Sequence, residues 1–384
     1  MAPSNGNVGN GANPNPPNQV QPQIVYGNVS TYLGTSGVLS PFAQVTGWVF
    51  DYKVPTLYSW SAGVQRNIGG GIAVEATYVG NQGRHLAQTR DINLVPPGSR
   101  FLPQNANPTN PAVPLPDNFF RPYPGYGTIV MWEYNGTSAY NALQTSLNRN
   151  LRGGLAFGVS YTLSKSTDLA AANVRLPTYE PDDVYMKGYS AFDQTHVFTA
   201  SYTWMLPRLS HVIPNGVVKA VFDNWSLSGI ATLASGTPIT LAAFTTVSGV
   251  DPTNANGGGD PQRLNLTGPL ELHRGERTFD RWFAVENVKL APRGEIGSAG
   301  KTPLRGPGTN NYDLSLVKNV PFGAAARRVE VRWEIYNLFN SFQYANVNTV
   351  ARFDNQGNQI NPQFGQVSAG RPPRIMQASL RVVF

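Results

Sequence analysis

The sequence has no cysteine, which excludes disulfide frameworks, thiol catalysis and cysteine-ligated zinc, although it does not fix the compartment. Charge is scarce: 13% of the residues are Asp, Glu, Lys or Arg, about half the share of an ordinary soluble domain. No window approaches the roughly eighteen consecutive apolar residues of a membrane-crossing helix. Lys and Arg outnumber acids by 29 to 22, yet they stand singly and Arg327-Arg328 is the densest local pair. That excludes the clustered stripe of a nucleic-acid footprint and leaves contact with anionic lipid head groups or simple solvation. The N-terminus has neither a basic start nor an apolar run, so it is not a signal peptide. The expectation is that Met1 lies inside a longer reading frame, or that the chain begins part-way.

What is there is glycine (39), proline (31) and aromatics (11%), the composition of many strands joined by irregular loops. The last stretch, Arg374 to Phe384, shows the pattern most plainly. Met376, Ala378, Leu380, Val382 and Phe384 fall on one face of an extended strand, and Gln377, Ser379, Arg381 and Val383 on the other. Alone, this strand suits the edge of a soluble sandwich as well as a tilted crossing of a hydrocarbon layer.

Residues 1–54 lack a sustained period and read as an Asn/Pro/Gly-rich extracellular loop or disordered lead-in. From residue 55 to 384 alternating segments recur. Tyr58 to Arg66 and Ile72 to Tyr78 form a hairpin around Asn67-Ile68-Gly69-Gly70-Gly71, which is a turn and not a phosphate cradle because a strand follows it. Ala139 to Leu147 and Leu155 to Leu163 form the next, then Phe198 to Trp204 with Trp225 to Leu233, then Tyr312 to Leu316 with Val329 to Ile335, and last the terminal strand. That makes nine strands. The prolines between 83 and 136 forbid a continuous ladder there, and 236–309 has room to hide a further strand pair.

Connections alternate in length. Short turns near 67–71, 149–154, 207–220 and 320–327 answer long loops near 83–136, 166–190, 236–309 and 341–373. This sorting breaks the tie in favour of an all-β, antiparallel transmembrane β-barrel, with short turns at the periplasm and long loops outside. The terminal strand then runs inward and ends with Phe384 at the periplasmic rim. An odd set of nine cannot close antiparallel, and lipid tolerates no unpaired edge, so the expected object is part of a larger barrel, with about 9–11 strands in this chain.

Side chains with chemical potential are dispersed. His85, His196, His211 and His273 have no second histidine at ligand spacing, Asp182-Asp183 and the Asp251 to Asp260 loop do not fit a calcium loop, and no nucleophile-base set assembles, so neither metal, cofactor nor catalysis is expected. Glu75, Asp313, Glu330, Arg332, Glu334 and Arg381 occupy polar strand faces and are candidates for a lumen lining. Tyr78, Tyr161, Trp204 and Trp225 lie near strand ends, where interfacial aromatic girdles sit.

The phrases S-W-S-A-G-V-Q-R-N (59–67), Y-N-A-L-Q-T-S-L-N (140–148), Y-T-L-S-K-S-T-D (161–168), L-R-G-P-G-T-N-N-Y-D-L-S-L-V-K-N (304–319), R-W-E-I-Y-N-L-F-N (332–340) and F-G-Q-V-S-A-G-R-P-P-R-I-M-Q (364–377) resemble the C-terminal barrel of TonB-dependent outer-membrane receptors. The subgroup they resemble is the Oar-like one with a carboxypeptidase-regulatory-like domain. The resemblance implies a 22-stranded, plugged barrel in the outer membrane of a Gram-negative bacterium, taking up a ligand recognised by its long outer loops. It implies contact with outer-membrane lipid and lipopolysaccharide, insertion by the barrel assembly machinery, and coupling to the TonB complex through N-terminal parts that this chain lacks. Two other readings stand beside it: an outer-membrane structural or adhesive barrel without active transport, and a soluble secreted β-protein.

The terminal strand supplies a test. Deleting Phe384, or Phe384→Ala, in the otherwise complete protein is expected to lower the amount inserted in the outer membrane; unchanged membrane levels by immunoblot would count against an assembly role.

Overall fold

A computed structural model describes residues 45–108, 110, 115, 119–124, 126–169, 175–177, 186–241, 244–246, 263–273, 275–292, 295–323 and 327–384. Nine antiparallel strands follow one another in chain order across a single sheet: β1 (Thr56–Gly69), β2 (Ile72–Asp91), β3 (Ile129–Arg152), β4 (Leu155–Asp168), β5 (His196–Met205), β6 (Trp225–Ala234), β7 (Thr309–Pro321), β8 (Arg328–Tyr336) and β9 (Ile375–Val383). Each strand pairs with its sequence neighbour, so the sheet is an up-and-down meander whose two ends, β1 and β9, do not meet. A four-residue strand, Val45–Trp48, lies parallel to the outer part of β3.

The ladder is sheared as a barrel wall requires. The row of facing residues that starts at Ile72, beside the first turn, runs through Arg149, Phe157, Tyr202, Gly229, Leu314 and Ile335 to Met376. Met376 stands eight positions before Phe384, so over seven strand steps the row climbs by nearly the height of the sheet. At about 3.3 Å per residue and 4.8 Å per strand this is a tilt of roughly 38°, within the range of closed barrels.

Alternation divides the sheet into two surfaces. Leu155, Trp204, Leu227, Leu316, Trp333 and Ala378 share one row of the apolar face. Thr203, Ser228, Ser315, Glu334 and Gln377 form the neighbouring row on the opposite face. Among the described residues no protein layer covers the apolar face: Trp333 is 47% exposed and Leu380 68%. In a soluble sandwich this face would pack on a second sheet; a hydrocarbon layer is the alternative cover. Met376, Ala378, Leu380 and Val382 all lie on it, and Phe384 meets Phe322 edge-on at 6.5 Å between ring centroids.

Glycine opposite an aromatic recurs on this face. Tyr202 lies across Gly229, where a Cβ would come within 2.7 Å of the ring, and Trp60 covers Gly80 in the same way. The tight turn Gly69-Gly70-Gly71 has positive φ at all three residues (91°, 61° and 77°), which explains glycine there.

Two expectations need correction and a third is filled in. The loop placed at 83–136 is shorter, because β2 runs on to Asp91 and β3 starts at Ile129. Period two fades above Gly83 because both faces of this ribbon are wet or covered by loops, and register shifts around Leu86, next to His85 with φ 54°, interrupt it. The 207–220 connection is not a plain turn, since it carries a 3-10 turn, Leu209–His211, and a helix, α1 (Gly216–Phe222). Within 236–309 the hidden pairs are Pro238–Ile239 with Leu304–Arg305 and Asn265–Leu266 with Val288–Lys289, both outside the main sheet.

The buried core is in the long loops. Leu241, Leu264, Trp282, Phe283 and Val288 from the β6–β7 connection pack with Phe353, Phe364 and Val367 from the β8–β9 connection. Phe283 meets Phe364 edge-on at 5.2 Å, and backbone bonds from Trp282 to Gly365 and from Val367 to Phe279, both 2.8 Å, stitch the two loops together. The loops therefore form one folded cap at the end opposite the short turns.

Gly229→Val would push Tyr202 off its seat and is expected to cost about 1–3 kcal/mol. The measurement is the urea midpoint of the refolded protein; an unshifted midpoint would show that the ring does not rest on this glycine.

Candidate functional site

The polar face of β3 to β8 is concave and holds a hollow of ≈ 630 Å³, lined by small and hydrogen-bonding residues such as Gly158, Ser201, Thr203, Ser228 and Ser315, with Asp313 and Glu334 at one side. A second hollow of ≈ 400 Å³ shares Asp313 and Tyr336 and rises past Asn311, Asn337 and Gln343 to Arg371 at the base of the cap. Together they make a trough up the wall whose floor mixes hydroxyls, amides and charges with apolar patches such as Ile230.

The six charged residues singled out as candidates all lie on this face. Arg332 donates to Glu330 at 2.9 Å and stands 3.5 Å from Glu334, which also accepts from the Gln377 amide and, at 3.4 Å, from the Tyr336 hydroxyl. Arg381 faces Glu330 across the β8–β9 ladder. Asp313, on the next strand, makes bonds of another kind. One of its carboxylate oxygens accepts the Asn311 amide and the Asn337 backbone N–H, both at 2.9 Å. It thereby fixes the left-handed Asn337 (φ 54°), where β8 gives way to the cap. Glu75 is far away on β2 and accepts only from the neighbouring Thr77 hydroxyl at 3.1 Å among its described bonds.

Hydroxyls, amides and a few paired charges suit passing contact with a hydrated solute. The trough presents no convergent nucleophile, base and oxyanion donor. Among the described residues no group of three His, Cys, Asp or Glu is placed to hold a metal ion. His196 shares a 2.8 Å hydrogen bond with the Tyr161 hydroxyl on the apolar face. The two Asp-rich loops considered for calcium, at 182–183 and 251–260, lie outside the described residues.

The anchors of the cap are residues that sequence reasoning passed over. Asp193, its side chain fully buried, accepts from the Ser166 backbone N–H and pairs with Arg305, each at 2.5 Å. The Arg305 guanidinium also lies 4.5 Å from the Tyr189 ring centre. Lys301 pairs with Asp168 at the end of β4, and Arg263 donates to the Ala299 carbonyl at 2.8 Å and to the Met186 sulfur at 3.0 Å. The β4–β5 connection is thus bolted to the β6–β7 connection, which shares its core with the β8–β9 connection. No local pattern marks these contacts, since the two ion pairs join residues 112 and 133 positions apart and Arg263 reaches Met186 across 77. At the cap's tip, the Asn358 side-chain amide, then backbone N–H groups of Asn358, Gln356 and Gly357, hold the Asp354 carboxyl below the usual carboxylate range.

The family model of the outer membrane beta barrel domain matches residues 2–377. The chain belongs to this family. It is an outer-membrane β-barrel protein, and its uncovered apolar face is the surface that meets lipid. None of the curated proteins matches it. Among solved structures it is similar to the outer membrane transporter YddB from Escherichia coli, with 9% identity and a TM-score of 0.39 over 87% of this chain and 32% of that one. It is also similar to the FrpB iron transporter from Neisseria meningitidis, with 11% identity and a TM-score of 0.38 over 89% and 32%. A third is the siderophore receptor PirA from Acinetobacter baumannii, with 11% identity and a TM-score of 0.40 over 86% and 32%. The chain spans about a third of the length of these proteins.

The buried Asp193–Arg305 pair makes the cap testable. Arg305→Met leaves a buried carboxylate without its cation and is expected to cost about 3 kcal/mol. Limited proteolysis should then cut the 263–305 region sooner while the strands stay resistant; unchanged cutting would refute the clamp.

Proposed function

We propose that this barrel segment belongs to a TonB-dependent receptor of the Oar-like subgroup and helps take up an extracellular ligand, with the capped loops as the outer recognition surface. The observation that carries the reading is the trough on the inner wall, which runs from the lower wall to the base of a folded cap while the other face is left to lipid. Nine strands are fewer than half of the 22-stranded wall that the sequence phrases imply. In this reading the segment is not an enzyme, and its traffic is driven by the TonB complex through N-terminal parts of the receptor.

The inner-wall charges Glu330, Arg332, Glu334 and Arg381 support the reading as a hydrated lining whose charges neutralise one another, with Asp313 holding the cap entry. An adhesive or structural barrel without transport is favoured by one feature, the rigidity of the cap, which suits a standing docking surface as well as a solute gate.

The two separate on the rest of the gene. The transport reading expects a signal peptide, a plug and a TonB box upstream, and expects the complete gene product to retain the periplasmic domain of TonB in a pull-down until that box is deleted. A frame with no plug, or a product that never retains TonB, would leave the adhesive barrel.

A further inference from the structure

Basic residues that look scattered along the chain collect at one end of the fold. Arg66 on β1 and Arg149 and Arg152 on β3 lie in outward-facing rows beside the short turns. Lys318 on β7 is in such a row too, opposite Trp225 and Val331. Arg208 and Lys219 join them from the β5–β6 connection. Carboxylates are turned away: Glu75 and Glu330 face inward, and Asp223 is 1% exposed, held by the Ser210 hydroxyl and, at 3.1 Å, the Ser210 backbone N–H. Among the described residues the outward rim at this end is cationic with no exposed acidic side chain.

The β5–β6 connection adds an apolar element to that rim. Helix α1 places Val217, Val218, Val221 and Phe222 along one arc and Lys219 opposite. Val217 is 70% exposed, Phe222 54%, and Val212 just before the helix 78%. Seven residues with three valines and a glycine hold a helix poorly in water, even with the Asn215 side chain accepting the Val217 N–H at 2.8 Å. Its position settles which side it is on. The Trp225 indole N–H donates to the Val221 carbonyl at 2.7 Å and the Lys318 ammonium to the same carbonyl at 3.2 Å, and both side chains stand on the lipid face. The end of the helix is thus pinned to the outer side of the wall, in line with the apolar band.

We propose that the 208–222 segment is an interfacial anchor in the periplasmic leaflet, with its valines and Phe222 among the acyl chains. The cations along the same end of the wall, Arg66, Arg149, Arg152, Arg208 and Lys219, bind the phosphates of anionic glycerophospholipids. Lys318 runs its stem along the lipid face and places its ammonium on the helix's last carbonyls, which orients the anchor. A helix at the leaflet boundary gains from burying an apolar arc and from charge attraction to head groups. The proposal rests on the outer-membrane placement of the barrel and is independent of whether the protein transports anything.

The test uses the complete gene product reconstituted in vesicles of phosphatidylethanolamine with a minority of phosphatidylglycerol. This chain lacks cysteine, so once any cysteine elsewhere in the gene product is replaced by serine, nitroxides can be attached through Val217→Cys, Val221→Cys or Lys219→Cys, one at a time. Labels at 217 and 221 are expected to be reached by oxygen and shielded from an aqueous nickel chelate, with the reverse at 219. Equal access of the chelate to all three would overturn the anchor, and so would shielding that arises only on adding a periplasmic extract, which would assign the surface to a protein. For the phosphate sites, association of spin-labelled phosphatidylglycerol relative to phosphatidylcholine is expected to fall several-fold in the Arg149→Gln, Arg152→Gln, Arg208→Gln, Lys219→Gln variant. Lys219→Gln alone should give a smaller fall if the quadruple variant loses its heat-modifiable folded band. An unchanged preference in the folded variant would overturn the lipid-phosphate assignment.

Discussion

Inside a bilayer a backbone N–H or C=O has no water to turn to, so every one must be bonded by the chain itself. The sequential ladder from β1 to β9 answers that demand, and much else in the molecule follows from it. The ladder fixes which side chains face outward, so the apolar rows are set by pairing register and one slipped residue would exchange the two faces. The same constraint explains the tilt: bonding neighbours with a steady climb of about one residue per strand is how a wall curves toward closure. It also confines irregular backbone to the two ends, where water or other protein can bond it.

The two ends solve that problem differently. At the periplasmic end glycine turns are short enough to leave few groups unbonded, and the one longer connection folds into a helix. At the outer end the connections are too long to remain open, and they bury apolar side chains against each other. Thus the only extensive protein core of the described residues, built on Phe283, Phe353, Leu241 and Leu264, lies outside the sheet. The wall takes its apolar cover from lipid, and the cap makes its own.

Sequence was informative where period two was enforced by that wall. Strand number, the shared face of Met376, Ala378, Leu380 and Val382, and the opposite face of Glu330, Arg332 and Glu334 could all be read, because each is decided by alternation over nine or more residues. The outer halves of β2 and β3 escaped notice because no single face is buried there, so Arg90 and Glu133 bond across a ribbon that carries no apolar signature. The cap escaped because its pairs are long-range: Asp193 in its own neighbourhood looks like any loop aspartate, and only Arg305 gives it meaning. The basic rim escaped for the same reason, since Arg66, Arg149 and Lys219 come to the same end of the sheet only after the hairpins are stacked.

The cap's construction also bears on the order of folding. Lys301 and Asp168 are separated by 133 positions, and Arg305 and Asp193 by 112. Contacts of such span must wait for the hairpins between them, because closing a large loop is unfavourable until the intervening pairs hold the ends together. The β4–β5 connection cannot be bolted to the β6–β7 connection before β5, β6 and β7 stand side by side. The ion pairs at the top of the wall are therefore a late event, and their formation marks the moment at which the strands beneath them have reached their final register.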